Sequence, residues 1–279
     1  MRVLILTPVG GLANRIRAIE AAYSYAAKHS SVLKIIWEQN NILNASFSEC
    51  FQPIADVQVI NIDYSGYNFI PKVKRKIIPL LSEGILRISS FEKISDGVVR
   101  GNLEASLKPK PGDVFFNHLA QMHPKIHIET CYEFYSASFP GLVQLNVSIQ
   151  EKAKSIIQDF TCLIGVHIRR TDNLVAIENS PLELYLKKMN AEISENPDVY
   201  FYVSTDSDEV MQNLKAEYKG KIVTGAVERR RDTKTGIMSA LIDLYCLSRC
   251  CKILGSVYSS FSEQASKMGN VPLEIIKKD

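Results

Sequence analysis

Apolar runs and helical patterns alternate along the chain. In the first half, apolar runs at residues 2–7 and 32–37 flank residues 12–26, where apolar side chains recur at three- and four-residue spacing. The runs predict buried strands and the spacing between them predicts a helix, so the chain opens with a βαβ unit and parallel strands. Two more strands of this half are predicted at residues 113–116 and 126–130.

The second half repeats the alternation of strand and helix. This pattern predicts a doubly wound domain on a parallel sheet. With a boundary near residues 140–146, the chain is predicted to be an α/β protein with two Rossmann-like domains, residues 1–142 and 143–279, that face a cleft. In the second domain, strands are predicted at residues 163–170, 199–203, 221–224 and 252–254, and helices at residues 181–193, 208–218, 237–250 and 262–268.

The composition is that of a globular protein without a membrane span. The chain has 279 residues, 46% of them hydrophobic, and a net charge of +3, which is too small to indicate a nucleic-acid partner. No apolar run approaches the roughly 20 residues of a transmembrane helix, and the run before Pro8 is too short for a signal peptide. A cytoplasmic location is therefore expected. The six cysteines show no metal-site spacing and are expected to be reduced thiols in the core.

Two adjacent arginines, Arg169 and Arg170, end the predicted strand at residues 163–170, with His167 before them and Asp172 after them. Two guanidinium groups at the end of a buried strand are costly unless an anion binds them. In open α/β sheets, ligands bind beyond the carboxyl ends of the strands. The pair therefore predicts a phosphate-bearing ligand. A surface ion pair between one arginine and Asp172 explains this segment equally well.

A glycine turn joins the first predicted strand to the first helix. Gly10 and Gly11 allow close backbone approach, and Asn14 and Arg15 in the first helical turn could add side-chain donors. The N-terminus of a helix favours anions. The sequence matches neither the dinucleotide-binding nor the P-loop fingerprint, so a plain glycine turn remains an alternative.

Residues 204–209, STDSDE, follow a predicted strand. Asp206 and Asp208 match the DxD pattern with which many glycosyltransferases hold a divalent metal. A helix N-cap with acidic residues in the first turn explains the same letters, because the helix dipole favours negative charge there. The cap is the preferred interpretation.

The predicted helix at residues 237–250 carries one carboxylate, Asp243, on its apolar face. A buried carboxylate needs donors, and guanine offers two parallel ones on N1 and the exocyclic N2. An internal salt bridge, for example to Arg249, is the alternative.

A serine-rich turn follows the last predicted strand. Ser260 and Glu263 have the spacing of a capping box, and the hydroxyls of Ser260 and Ser262 could bind an anion together with free helix N–H groups. Capping alone would also explain the serines.

Four segments, GVHIRRTD, YVSTDSD, ALIDLYCLSRCCKILGS and SSFSEQA, occur in an order that resembles one known group of enzymes, and GGLANR adds weaker support. These are the metal-independent fucosyltransferases that use GDP-fucose, including α1,6-fucosyltransferases, nodulation fucosyltransferases and protein O-fucosyltransferases. The resemblance covers residues 160–268 well and the first half poorly. It implies a GT-B-like fold in which the second domain holds most of the GDP-fucose and no metal is needed.

The resemblance also implies roles for single residues. Arg169 would neutralise the β-phosphate of the leaving GDP, and Arg170 would hold the site or contact phosphate. His167 would line the nucleotide pocket, and Asp243 would bind guanine. Such a guanidinium would stabilise the charge that develops on the phosphate. The residues predicted to contact substrate are Gly11, Asn14, Arg15, His167, Asp206, Asp243, Ser260 and Ser262.

The sequence departs from the family just after the arginine pair. Asn173 stands where the α1,6-fucosyltransferases have a lysine, and the glutamate expected a few residues later has no clear match. Glu178 or Asp172 is the candidate general base that would deprotonate the acceptor hydroxyl.

The sequence as a whole predicts an inverting glycosyltransferase that transfers fucose from GDP-fucose to a bacterial glycan or lipid-linked oligosaccharide. The alternatives are a metal-dependent DxD-type transferase with another sugar nucleotide, and a non-catalytic nucleotide- or glycan-binding protein. The basic amphipathic residues 71–90 could contact an anionic membrane surface, although a solvated basic helix explains them as well.

Overall fold

The computed structural model of the protein describes residues 1–64, 91–104, 112–139, 141–171 and 173–278. The chain divides into two compact units, Met1–Gln144 and Leu145–Asp279. The basic stretch at residues 71–90 and the candidate base Asp172 lie outside the described residues.

The described part of the first unit contains a five-stranded sheet with the strand order β3-β2-β1-β5-β4, and every pair is parallel. The central strand β1 is buried over most of its length because helices and neighbouring strands cover it. The strands are β1 (Arg2–Pro8), β2 (Ser31–Gln39), β3 (Gln58–Asp63), β4 (Glu92–Ile94) and β5 (Lys125–Thr130), and the helices are α1 (Leu12–Lys28), α2 (Phe47–Cys50), α3 (Asp96–Glu104) and α4 (Gly112–Met122).

The strand predicted at residues 113–116 is wrong, because these residues belong to helix α4. The buried side chains of this helix are Phe116, Leu119 and Ala120, which have the spacing of one helical face. The strand predicted at residues 126–130 is confirmed as β5.

The second unit contains a five-stranded parallel sheet in its described part, with the order β10-β9-β6-β7-β8. The central strand β6 is fully buried, and the predicted alternation of strands and helices is confirmed with small shifts of the ends. The strands are β6 (Leu163–Ile168), β7 (Tyr200–Thr205), β8 (Ile222–Val223), β9 (Lys252–Ser256) and β10 (Leu273–Ile276), and the helices are α5 (Val147–Ile157), α6 (Leu174–Asn179), α7 (Leu182–Glu195), α8 (Asp208–Glu217), α9 (Lys234–Leu247) and α10 (Ser260–Gly269).

The prediction that all cysteines are reduced core thiols is wrong for two of them. Cys162 and Cys251 form a disulfide, with their Cα atoms 5.8 Å apart. Cys162 precedes β6 and Cys251 precedes β9, so the pairing of these parallel strands brings the two residues together. Because disulfides are typical of oxidising compartments, the cysteines give no support to the expected cytoplasmic location.

No helix among the described residues is both long enough and apolar enough to cross a lipid bilayer.

Candidate functional site

The arginine pair lies at the carboxyl end of β6, where the fully buried strand gives way to a loop. The backbone N–H of Arg169 donates to Ser256 Oγ at 3.1 Å, and Ser256 is the last residue of the neighbouring strand β9. The arginine pair therefore lies at the carboxyl end of the sheet, as its position in the sequence predicts.

One carboxylate, that of Asp206 at the end of β7, organises the loop that carries the arginines. It accepts hydrogen bonds from the backbone N–H of Arg170 at 2.7 Å and from Thr171 Oγ1 at 2.8 Å. It also pairs with Arg169 Nε at 3.1 Å. Three consecutive residues are thus fixed by one side chain, and charged hydrogen bonds of this kind are strong. A substrate contact by Asp206 itself stays a prediction.

The two arginines differ in their surroundings. Arg170 donates to the backbone carbonyls of Arg169, at 3.2 Å, and Ser180, at 2.8 Å, so its guanidinium braces the loop. Arg169 keeps 19% of its side chain exposed beside the carboxylate of Asp206. These contacts are compatible with the predicted holding role of Arg170, and its contact with phosphate stays a prediction.

A buried polar network that the sequence did not reveal supports the loop from below. Tyr185 Oη lies 2.8 Å from Ser256 Oγ and donates to the carbonyl of His167 at 3.2 Å. Burial raises the pKa of Tyr185 to about 12, so the hydroxyl keeps its proton. The signal in the sequence was a tyrosine on the apolar face of a predicted helix, because its buried hydroxyl requires a partner.

His167 is buried, with 4% exposure, and stacks on Phe261 with ring centroids 5.0 Å apart. Its Nδ1 lies 3.4 Å from Ser259 Oγ. Burial, reinforced by the positive charge of Arg169, lowers the pKa of His167 to about 4. The imidazole is therefore neutral at pH 7 and offers an aromatic surface and a hydrogen-bonding group without added charge.

Asp243 on α9 is buried beside β7, as its position on an apolar helix face predicts. Its carboxylate accepts from Tyr202 Oη at 2.6 Å and from Ser204 Oγ at 2.8 Å. Burial raises the pKa of Asp243 to about 6, and these two hydrogen bonds work in the opposite direction. The alternative partner Arg249 instead lies over the ring of Tyr245, with Cζ 5.1 Å from the ring centroid.

The capping box predicted from Ser260 and Glu263 is wrong. The N-cap of α10 is Ser259, one residue earlier, so that Ser262 and not Glu263 occupies the third helical position. The hydroxyl of Ser259 faces His167 and makes no capping hydrogen bond. Ser262 is fully buried and donates to the carbonyl of Ser259 at 3.2 Å, whereas Ser260 is half-buried.

The cap interpretation of residues 204–209 is confirmed. Ser207 is the N-cap of α8 and accepts from the backbone N–H of Val210 at 3.3 Å, with Asp208 and Glu209 in the first turn. Asp208 forms an ion pair with Arg229. Within the described ranges, no group of three or more His, Cys, Asp or Glu residues is arranged to hold a metal ion.

Asn173, which stands where the α1,6-fucosyltransferases that the sequence resembles have a lysine, makes structural contacts. Its side chain caps α6 by accepting from the backbone N–H of Ala176 at 3.0 Å, and it donates to the carbonyl of Tyr258 at 3.3 Å. Glu178 lies exposed on the same short helix. Its role as general base, like that of Asp172, stays a prediction.

The glycine turn of the first unit is held by Arg15. Gly10 has φ +82°, which favours glycine, and Gly11 is the N-cap of α1. The buried side chain of Arg15 donates to the carbonyl of Gly10 at 3.0 Å and lies 4.7 Å from the ring centroid of Trp37. Burial lowers the pKa of Arg15 to about 10, which still leaves it charged at pH 7. Asn14 Oδ1 is buried without a partner among the described residues, and substrate contacts at this turn stay predictions.

No protein-family model and no curated protein matches the chain. Solved structures match over its whole length. NodZ alpha-1,6-fucosyltransferase co-crystallized with GDP aligns with a TM-score of 0.61 and 21% identity, covering 100% of this chain and 95% of that one. Fucosyltransferase NodZ from Bradyrhizobium aligns with a TM-score of 0.59 and 18% identity, covering 100% and 96%. POFUT1 in complex with GDP-fucose aligns with a TM-score of 0.60 and 10% identity, covering 99% and 98%. The chain therefore has the GT-B-like α/β fold of these fucosyltransferases, which the order of its motifs predicted.

Proposed function

We propose that this protein is a fucosyltransferase that transfers fucose from GDP-fucose, with inversion, to a bacterial glycan. Two observations support the proposal. The similar structures are fucosyltransferases crystallised with GDP or GDP-fucose. The sequence also carries the arginine motif of that group at the end of a buried strand.

The observation that carries the proposal is the loop at Arg169–Thr171, which Asp206 fixes in place. A guanidinium that is positioned before the ligand binds needs no reorganisation when charge develops in the transition state. Arg170 and Tyr185 brace this loop from the protein side. The geometry suits a group that stabilises a departing phosphate.

The chemistry follows from this placement. The acceptor hydroxyl attacks C1 of fucose from the face opposite GDP, its proton passes to Glu178 or Asp172, and the C1–oxygen bond to the β-phosphate breaks. The electron pair of that bond stays on the phosphate oxygen, and Arg169 stabilises the negative charge. A single displacement of this kind inverts the configuration at C1.

The remaining predicted contacts belong to the same proposal. Asp243 would accept from guanine N1 and N2, and His167 would line the nucleotide pocket together with Ser260 and Ser262. From the first unit, the turn with Gly11, Asn14 and Arg15 would contact the donor or the acceptor. Because the guanidinium of Arg169 would take the place of a metal ion, we expect the protein to be active without a divalent cation. A cytoplasmic location with peripheral membrane contact stays a prediction.

The test combines nucleotide binding with turnover. GDP and GDP-fucose are expected to raise the melting temperature of the purified protein, while UDP compounds leave it unchanged. Consumption of GDP-fucose should survive EDTA and fall about 10²- to 10³-fold in Arg169→Ala, the usual effect of removing one such stabilising group. Arg249→Ala is the matched control, because that arginine lies over Tyr245 on α9 and outside the loop.

Each alternative gives a different result. Stabilisation by UDP-sugars and loss of activity in EDTA would indicate a metal-dependent transferase. GDP binding without hydrolysis or transfer of the donor, across a panel of bacterial glycans, would indicate a non-catalytic binding protein.

A further inference from the structure

The loop that follows β8 is hydrogen-bonded to Tyr202, which holds Asp243, and to Ser239 on the same helix as Asp243. The backbone N–H of Gly225 donates to Tyr202 Oη at 3.1 Å, and the same hydroxyl donates to Asp243. The next residues are tied to α9, where the backbone N–H groups of Val227 and Glu228 donate to Ser239 Oγ at 3.2 and 3.3 Å. Ser239 lies one helical turn before Asp243, so both ends of this segment are anchored beside the buried carboxylate.

Gly225 fixes the path of this loop. A Cβ atom at this position would lie 2.7 Å from a side-chain carbon of Ile242, 2.8 Å from one of Ile156 and 2.9 Å from Tyr202 Oη. Such distances leave no room for a side chain, so the backbone here packs directly against the core of the second unit.

Two polar atoms of this loop are buried and lack a hydrogen-bond partner among the described residues. They are Thr224 Oγ1 and Arg229 Nε. The Arg229 side chain is only 15% exposed, and a terminal nitrogen of its guanidinium pairs with Asp208. A buried donor without an acceptor is unfavourable, so the Arg229 Nε–H is a candidate for a contact with a ligand.

The Asp243 carboxylate has acceptor positions that its two hydrogen bonds leave unused. A carboxylate has about four lone-pair sites, and Tyr202 and Ser204 occupy one on each oxygen. The positive charge of Arg229 acts on this carboxylate. A ligand that carries both donors and acceptors would find a carboxylate and an unsatisfied guanidinium N–H on neighbouring segments of the second unit.

We propose that Arg229 adds to the selection of guanine over adenine, by donating from Nε to O6 of the base while Asp243 accepts from N1 and N2. The inference rests on the proposed function, which supplies a guanine nucleotide as the donor. Arginine is the commonest partner of guanine O6 and N7, because both atoms are acceptors. Adenine carries an amino donor at the position of O6, so a donor from Arg229 would face another donor.

The experiment compares GDP with ADP by calorimetry on three proteins. Arg229→Lys keeps a cation for Asp208 but removes the Nε donor. We expect it to weaken GDP binding about 10-fold and to lower the ratio of the ADP and GDP dissociation constants by a similar factor, in the lower part of the range for one specific base contact. Asp208→Asn is the control, because it removes the ion pair but keeps Nε, and the ratio should stay within about twofold of wild type.

The results separate this inference from the proposed function. Wild-type protein that binds GDP, combined with an unchanged ratio in Arg229→Lys, would overturn the role of Arg229 and leave the fucosyltransferase proposal standing. Wild-type protein that binds another nucleotide in preference to GDP would overturn both. Arg229→Met, which keeps the apolar stem, should show the same loss of selectivity and serves if Arg229→Lys folds poorly.

Discussion

At the scale of single residues, the second unit places two carboxylates in different surroundings. The carboxylate of Asp206 pairs with the guanidinium of Arg169 and accepts a hydrogen bond from the backbone N–H of Arg170. The hydrogen bonds to the carboxylate of Asp243 come from the neutral hydroxyls of Tyr202 and Ser204. Neutral donors offset less of the desolvation of a buried charge than a cation does. The pKa of Asp243 is accordingly raised to about 6, close enough to neutrality to affect ligand binding.

This pKa predicts that GDP affinity depends on pH. Guanine N1 and N2 are donors, so they need the ionised form of Asp243, and about a tenth of the groups remain ionised at pH 5 when the pKa is about 6. We expect the GDP dissociation constant to rise about 10-fold between pH 7 and pH 5. Calorimetry between pH 5 and pH 7 measures this change in the dissociation constant. The variant Asp243→Asn should bind GDP weakly, and its affinity should not change with pH in this range.

Unfolding of the protein at Asp243 would not account for weaker GDP binding at pH 5. Because the folded-state pKa of Asp243 is raised, protonation at this site favours the fold, and the gain grows as the pH falls from about 6 toward the unfolded value of 3.8. His167, with its pKa lowered to about 4, stays neutral down to pH 5. A wild-type affinity that stays constant from pH 7 to pH 5 would contradict the assignment of Asp243 to the base.

The sequence singles out a residue when its charge or polarity conflicts with the apolar segment around it. It does not single out a residue whose type is common for its position. The positions of Arg169 and Asp243 at the end of a strand and on a buried helix face could be predicted because each places a charge in an apolar segment, and their substrate contacts stay predictions. The contacts of Tyr185, Phe261 and Arg229 could not be predicted, because a tyrosine or phenylalanine on a helix, or an arginine in a loop, fits many environments. Their roles depend on contacts with distant segments, which periodicity does not encode.

At the scale of elements, the support of the arginine loop depends on the packing of α9 against β6. A Cβ atom at Gly165 in β6 would lie 2.9 Å from Leu247 Cδ2, 3.2 Å from Cys250 Sγ and 3.3 Å from Ile253 Cγ1. The helix can approach the strand this closely because residue 165 has no side chain. This contact fixes the strand whose carboxyl end carries Arg169.

Gly165→Ala is therefore expected to destabilise the second unit by about 1–3 kcal/mol, the usual cost of overpacking a core. Urea denaturation measures the change. Adding Leu247→Val removes the atom that the new methyl group meets, so the double variant should be less unstable than the sum of the two single changes. Strict additivity would mean that the two side chains do not meet. Gly101→Ala on α3 has open space around it and should not destabilise the protein.

Central strands were predicted better than edge strands for a physical reason. Strands such as β1 and β6 are buried on both faces, so their sequences are continuous apolar runs. Three of the four edge strands of the two described sheets, β3, β4 and β10, are largely exposed, and no long apolar run marks them. The fourth edge strand, β8, was predicted at residues 221–224. Helix α4 was mistaken for a strand because a short apolar run has no detectable period of its own.

At the scale of the whole molecule, the sequence predicted the division into two α/β units but not the covalent link inside the second one. The link joins Cys162 and Cys251, which are 89 residues apart. They become neighbours only because β6 and β9 pair in parallel, and the backbone N–H of Cys251 donates to the carbonyl of Leu163 at 2.8 Å beside them. Long-range pairing of this kind follows from sheet order, which cysteine spacing does not reveal.

The disulfide should stabilise the second unit by limiting the unfolded chain. For cysteines 89 residues apart, the lost entropy of the unfolded chain adds about 4–5 kcal/mol to the free energy of unfolding. We therefore expect dithiothreitol to lower the melting temperature of the wild-type protein, and Cys162→Ser/Cys251→Ser to melt at the reduced value with or without reductant. Cys50→Ser, at a buried free thiol in the first unit, is the control and should keep the response to reductant. A wild-type melting temperature that reductant leaves unchanged, together with two extra titratable thiols in the native protein, would show that the sulfurs are not bonded in solution.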